Sequence, residues 1–267
     1  MSDRRTWKLA LSVGPGAMNA ESFDALAAAG IREIELSSGA VDPYYSVLDF
    51  PRRSAEIASL AKEHGVNISS IHLPFGPFSN VDPSTPDPEK REYLIRIQRE
   101  LLDAAGKAGV GIAVLHPSGE PYPDEERDER IERAVEVVSV IADAAEKAGV
   151  TLALENLPRT CLGRDSAEML RFLEAIPTLR AVFDTNHSLR EDNPHFIRAL
   201  GSKIVSLHVS DYDFIDEKHW LPGEGKNDWK GIIAALEDVG YEGRFLYELH
   251  AGPTYQDVAE NYKKLIG

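Results

Sequence analysis

Apolar residues along this chain follow two alternating rhythms. Short runs rich in aliphatic and β-branched residues read as eight buried strands: "KLALSV", "IREIEL", "NISSIHL", "IAVLH", "TLALE", "LRAVFD", "KIVSLHV" and "RFLYELH". Between them lie longer stretches such as "FPRRSAEIASLAKEHG", "EKREYLIRIQRELLDAAGKAG" and "ERIERAVEVVSVIADAAEKAG", where apolar residues recur every three or four positions and mark one buried helical face. Five such stretches close on Gly30, Gly65, Gly109, Gly149 and Gly240, each followed at once by the next apolar run. Glycine there supplies the left-handed residue that ends a helix. The unit around Gly201 is less regular. Strand, helix and strand in this order give a parallel sheet. Eight units in 267 residues predict an α/β fold, a (β/α)8 TIM barrel forming a single domain over 1–267. An open doubly wound sheet is disfavoured, because "SVGPGAMN" lacks the glycine spacing of a dinucleotide loop.

Composition narrows the function. The chain is 43% hydrophobic and 27% charged, which is ordinary for a globular protein. Its formal net charge is −15 and no Lys/Arg cluster appears, so a nucleic-acid partner is not expected. The single cysteine, Cys161, excludes an internal disulfide and fits a reducing compartment. Arg4 and Arg5 precede an apolar stretch as in a leader peptide, but that stretch is short and runs into Gly14 and Pro15. It is expected to be the first strand. No window approaches the ~18 apolar residues of a membrane span. No membrane association is expected, and the expected location is cytoplasmic.

The strand ends carry the chemistry. Strand 3 ends at His72 and strand 4 at His116; strand 5 ends at Glu155 and strand 6 at Asp184, with His187 three residues on. Strand 7 ends near His208, and strand 8 at Glu248 with His250 just beyond. Five of the eight histidines thus fall at strand C-termini, the face where barrels of this kind build their sites. A lone histidine or carboxylate at such a place is usually solvated or caps a helix. Several carboxylates converging in one mouth would repel one another and lose solvation, and a divalent cation resolves that conflict. Carboxylate oxygen with imidazole nitrogen suits Mn, Zn, Co, Fe or Mg.

The segments "LALENL", "VFDTNH", "SLHVSD", "HWLPGEG-x-x-DW" and "LYELH" resemble the sugar phosphate isomerase/epimerase superfamily of xylose isomerase-like TIM barrels. The likeness runs from strand 1 to the last helix. It implies a metal-dependent isomerase or epimerase of a sugar, keto-sugar or polyol derivative acting through an enediolate. Carried over from the ketose epimerases, the ligands of one divalent ion (Mn, Co, Mg or Zn) are Glu155, Asp184, His208 and Glu248. Glu155 and Glu248 become the catalytic pair, one removing a proton and the other returning it. His72, His116, His187 and His219 become substrate contacts. Arg159, just past strand 5, either binds a carboxylate or phosphate of the substrate or is a solvated loop arginine. Two positions depart from the pattern: Cys161 stands where the 3-epimerases carry a second Glu, and Phe214 where they carry an Arg.

The related endonuclease IV family implies an alternative. There, His72 and His116 would hold an extra zinc joined by Glu155, and His187, Glu217 and His219 a third. The loops "HLPFGPFSN" and "ENLPRTCLG" lack that family's signatures, so the alternative is a di- or trinuclear hydrolase or lyase acting on a phosphate ester or glycoside rather than on DNA. A small carbohydrate is the expected partner, and analogy with related barrels admits a homodimer. Elsewhere, bland readings prevail. Trp229 packs a helix, Glu224 anchors its turn, His64 and His195 lie at the surface, and Cys161 is inert. His250 either orients Glu248 or belongs to the next loop. "PDEERDERIER" forms a solvated helix start with its acids near the N-terminal dipole.

Overall fold

The structure is a computed structural model that describes residues 7–267, so Arg4 and Arg5 of the leader-like segment lie outside the described residues. Eight strands form: β1 (Lys8–Val13), β2 (Glu33–Ser37), β3 (Asn67–His72), β4 (Ile112–Leu115), β5 (Thr151–Glu155), β6 (Arg180–Asp184), β7 (Ile204–His208) and β8 (Arg244–Tyr247). They alternate with α1 (Ala20–Ala28), α2 (Phe50–Glu63), α3 (Pro88–Ala108), α4 (Arg127–Ala148), α5 (Ser166–Ala175), α6 (Asn193–Leu200), α7 (Trp229–Asp238) and α8 (Tyr255–Ile266). All paired strands are parallel, in the order β7-β6-β5-β4-β3-β2-β1-β8. The remaining gap is bridged just past β7, where Val209 N–H donates to Leu246 O at 2.8 Å and Glu248 N–H donates to Val209 O at 3.2 Å. The result is the expected (β/α)8 barrel. Among the described residues no helix is long and apolar enough to cross a membrane.

The helix stops work as the pattern predicts. Gly109 and Gly149 end α3 and α4 at φ 75° and 72°, in the left-handed region that glycine enters without strain. Helix starts are capped by short polar side chains: Asn19, Asp87, Asp165, Asp192 and Asp228 each accept from a backbone N–H of the first turn, and Thr254 forms a capping box with Asp257.

Side-chain alternation divides each strand between two environments. Leu152, Leu154, Phe183, Leu207, Phe245 and Tyr247 join the large core between strands and helices. Their neighbours Ile112, Val114, Ala153 and Val182 form a separate, smaller cluster inside the barrel. Continuing the inward register by two residues reaches His116, Glu155 and Asp184. Ser206 and His208 on β7, and Leu246 and Glu248 at β8, share the same parity.

The acidic run before α4 departs from its expected solvated character. Asp124–Glu126 form a short helical turn with exposed side chains, but Arg127 and Arg130 are buried. Arg127 pairs with Glu168 at 2.6 Å and donates to the carbonyls of Thr160 and Cys161. Arg130 donates to Ser84 Oγ and Gly119 O, beneath the ring of Tyr122. The two arginines thus tie together the loops that follow β3, β4 and β5.

Helices α3 and α4 approach closely at Gly106, where an added Cβ would lie 2.2 Å from the carbonyl oxygen of Ala148. Alanine favours helix over glycine by up to about 1 kcal/mol, so propensity alone predicts that Gly106→Ala stabilises. The clash is with backbone, and overpacking of this kind costs about 1–3 kcal/mol. Gly106→Ala is therefore expected to lower stability, read as a lower urea midpoint; a raised midpoint would contradict the close approach.

Candidate metal centre

Glu155 closes β5, Asp184 closes β6, His208 closes β7, and Glu248 follows β8 by one residue. One donor atom from each lies within 4.8 Å of the other three. His208 Nδ1 is 2.9 Å from Glu155 Oε1, 3.4 Å from Glu248 Oε2 and 3.9 Å from Asp184 Oδ2. Glu155 and Asp184 are set by a clamp between β5 and β6. Asp184 N–H donates to Asn156 Oδ1 at 2.7 Å, and Asn156 Nδ2 donates back to Asp184 O at 3.0 Å.

Electrostatics explain what this cluster can hold. Burial alone would raise the carboxyl of Glu155, but the facing imidazoles of His208 and His116 outweigh it and hold that group well below the usual range. Asp184 goes the other way. Burial pushes it up to about 7, and the nearby Glu155 and Glu248 add to the rise against the pull of His187. His208 is raised well above its ordinary value despite burial, because Glu248, Glu155 and Glu35 face it. Asp184 Oδ2 is buried with no hydrogen-bond partner among the described residues. Three carboxylates and one imidazole around an unpartnered oxygen form a donor set that fits a divalent cation.

Two flanking groups adjoin this set. On one side His72 Nε2 and His116 Nε2 lie 3.0 and 3.1 Å from the same oxygen, Glu155 Oε2. His72 donates its other N–H to Leu73 O, and Phe75 stacks on His116 with ring centroids 4.5 Å apart. On the other side His187, Glu217 and His219 bring their donor atoms within 4.8 Å of one another. His187 Nδ1–H is held by the carbonyl of Asn156 at 2.9 Å. Burial opposes ionisation of Glu217, yet His219, His187 and Arg159 hold it down at about 2. Burial likewise opposes the charge on His219, which Glu217 and Glu248 nevertheless lift to about 9.

Arg159 stands at the outer rim. Its guanidinium meets Glu120, Asp216 at 2.7 Å and Glu217 at 2.6 Å, so three carboxylates already surround it. His250 is exposed, its ring 4.8 Å from that of His219, while Glu224 accepts from Leu221 N–H within its own turn. Burial pushes the Cys161 thiol up to about 12. Trp229 opens α7 with its indole N–H on Asp211, His195 is exposed, and His64 rests on Asp24.

Sequence reading missed three supporting residues. Glu35 is wholly buried in β2 and contacts His208. The signal was a charged residue between two core aliphatics, Ile34 and Leu36. Asn156 was passed over inside "LALENL". Asp211, fully buried after β7, accepts from Gly223 N–H, Asn227 N–H and Trp229 Nε1–H at 2.7–3.0 Å and so organises the loop that carries Glu217 and His219.

The profile of the xylose isomerase-like TIM barrel family matches residues 23–266. An uncharacterized protein of Methanocaldococcus jannaschii is 27% identical over 180 residues, which is 62% of this chain and 60% of that protein, less than two thirds of its length. The D-psicose 3-epimerase of Ruminiclostridium cellulolyticum is 29% identical over 218 residues, 77% of this chain and 70% of that enzyme. A crystal structure of a D-tagatose 3-epimerase-like protein superposes with a TM-score of 0.80 at 21% identity, covering 96% of this chain and 95% of the other. The chain belongs to the xylose isomerase-like TIM barrel family.

Proposed function

We propose that this protein is a divalent-metal-dependent isomerase or epimerase of a sugar, keto-sugar or polyol derivative that works through an enediolate. The observation that carries the reading is the convergence of Glu155, Asp184, His208 and Glu248 around a buried, unpartnered Asp184 oxygen. Similarity to a D-psicose 3-epimerase supports the same chemistry. When bound by these four residues, the cation would polarise a carbonyl and offset the charge of an enediolate.

The chain's own groups supply the rest. Glu155 and Glu248 are both held in the carboxylate form, by His208 and His116 for the first and by His208 and His219 for the second, against burial. Each can therefore accept a proton from carbon and return it. Glu155 is 1% exposed and engaged at both oxygens, whereas the Glu248 side chain is 21% exposed and meets a ligand from the open mouth. His187 and His219 line the adjoining wall and suit substrate hydroxyls. Cys161 and Phe214 occupy the positions where the resemblance places a second Glu and an Arg, so the proposal stops at the substrate class.

A second reading, a di- or trinuclear hydrolase or lyase, is favoured by two groups of potential ligands that flank the first. His72 and His116 share Glu155 Oε2, and His187, Glu217 and His219 form a further potential ligand group.

Deuterium incorporation tests the first reading. Incubating the manganese-loaded protein with a panel of ketoses in D2O is expected to place label on the carbon next to the carbonyl. Glu155→Gln and Glu248→Gln should each lower incorporation by about 10²–10⁴-fold. No label in any ketose, together with two or three tightly held zinc ions per chain, would sink the isomerase in favour of the multinuclear reading.

A pH dependence follows from Asp184. With its carboxyl raised to about 7 in the metal-free protein, a proton competes with the cation below that value. Manganese affinity, measured by calorimetry, is expected to fall as pH drops through about 7 and to go on rising above it, because the raised His208 must also give up a proton to bind; a flat profile would contradict this. The sign for stability is opposite. The raised group favours the metal-free fold below its ordinary value of 3.8, and that contribution is lost as pH rises through about 7. Cation binding should then raise the melting temperature most above pH 7, by the equivalent of about 2.7 kcal/mol at a hundredfold excess over Kd.

A further inference from the structure

We propose that Glu35 is a positioning residue whose carboxylate holds the Nε2–H of His208, so that Nδ1 is the nitrogen presented to the cation. The inference rests on the metal-centre reading above and adds to it a residue and a ring orientation.

Strand β2 places Ile34 and Leu36 in the core against the helices, which turns Glu35 into the barrel. There it is wholly buried. A buried carboxylate is costly unless hydrogen-bonded, and an apolar residue like those of the inner cluster, Val114 or Val182, would fill the space at lower cost. Glu35 is instead met on both oxygens. Oε1 lies 3.0 Å from His208 Nε2 with Ser12 Oγ at 3.5 Å, and Oε2 accepts from Ser70 Oγ at 2.8 Å. Glu35 belongs to none of the groups of converging ligand atoms, so its reach toward the centre is through the imidazole.

An imidazole that binds a cation through one nitrogen carries a proton on the other, and the partner of that proton fixes the ring. Here Nδ1 faces Glu155, Glu248 and Asp184 at 2.9–3.9 Å while Nε2 faces Glu35. A half-turn of the ring about Cβ–Cγ would set carbon atoms against both the carboxylate of Glu35 and the ligand cluster. Glu35 penalises that flip from below. The ring of His72, stacked on His208 at 5.7 Å, limits its movement sideways.

The test uses the full chain and two substitutions, Glu35→Ala and Glu35→Gln. Manganese affinity of the metal-free protein is expected to fall about 10–100-fold in Glu35→Ala, the usual effect of removing such a partner. The loss should be smaller in Glu35→Gln, whose amide oxygen still accepts from Nε2–H. Histidine nitrogen NMR of the zinc-loaded wild type, with His208 assigned by its loss in His208→Gln, should show the metal-bound shift on Nδ1 and the proton on Nε2. Metal-bound Nε2, or wild-type affinity in both variants, overturns the proposal. A purely structural role would lower the melting temperature and leave affinity unchanged. If Glu35→Ala does not fold, the nitrogen assignment of the zinc-loaded wild type decides alone, and metal-bound Nε2 overturns the proposal. Failure of the wild type to bind manganese or zinc would instead overturn the metal-centre reading, and this inference with it.

Discussion

A parallel strand in this barrel is buried on both faces, and that single constraint organises the rest. Alternate residues must serve two different interiors, one shared with the helices and one inside the barrel. The outer face is filled by large aliphatic and aromatic residues such as Leu154, Phe183 and Tyr247, which anchor the helices. The inner face narrows to a few small aliphatics and then turns polar toward the C-terminal rim. Because the same two-residue step governs every strand, neighbouring strands deliver Glu155, Asp184 and His208 to one level without any loop having to carry them. The geometry of the candidate site is thereby inherited from the sheet. The loops supply only its surroundings.

How much of this was legible in the sequence depended on whether the cause was local. Strand ends and helix stops were, because both follow from adjacent residues: an apolar run that closes on a charged residue, or a helix that closes on glycine. What escaped reading was fixed by partners distant along the chain. Glu35 looks like the polar alternate of a half-exposed strand until closure of the barrel places it against His208, 173 residues away. Arg127 and Arg130 sit in an acidic run that reads as solvated, and their burial depends on Glu168 and Ser84, 41 and 46 residues away. The expectation that Arg159 grips a substrate anion likewise took no account of Glu120, Asp216 and Glu217, which the fold brings to it. Local charge pattern predicts solvation well only where no other part of the chain arrives.

The centre combines two kinds of support. Asn156 and Glu35 act within the barrel wall, fixing the backbone at Asp184 and the ring of His208. Arg127 and Arg130 act outside it, holding the loops after β3, β4 and β5. Both kinds resist the same tendency. Like charges gathered at the mouth would push Glu155, Asp184 and Glu248 apart, and a less constrained frame would relax by spreading them into solvent. Burial, with Glu155 and Glu248 close by, accordingly keeps the Asp184 carboxyl raised.

Asp211 has a consequence of a different sort. Its buried carboxylate gathers the amides of Gly223 and Asn227 and the indole of Trp229, so the long segment after β7 folds around an anion supplied by the chain itself. A segment ordered in this way has already lost its conformational freedom during folding. Any ligand that met this wall would find little loop entropy left to lose, so the cost of gathering a loose segment would not be added to the cost of binding.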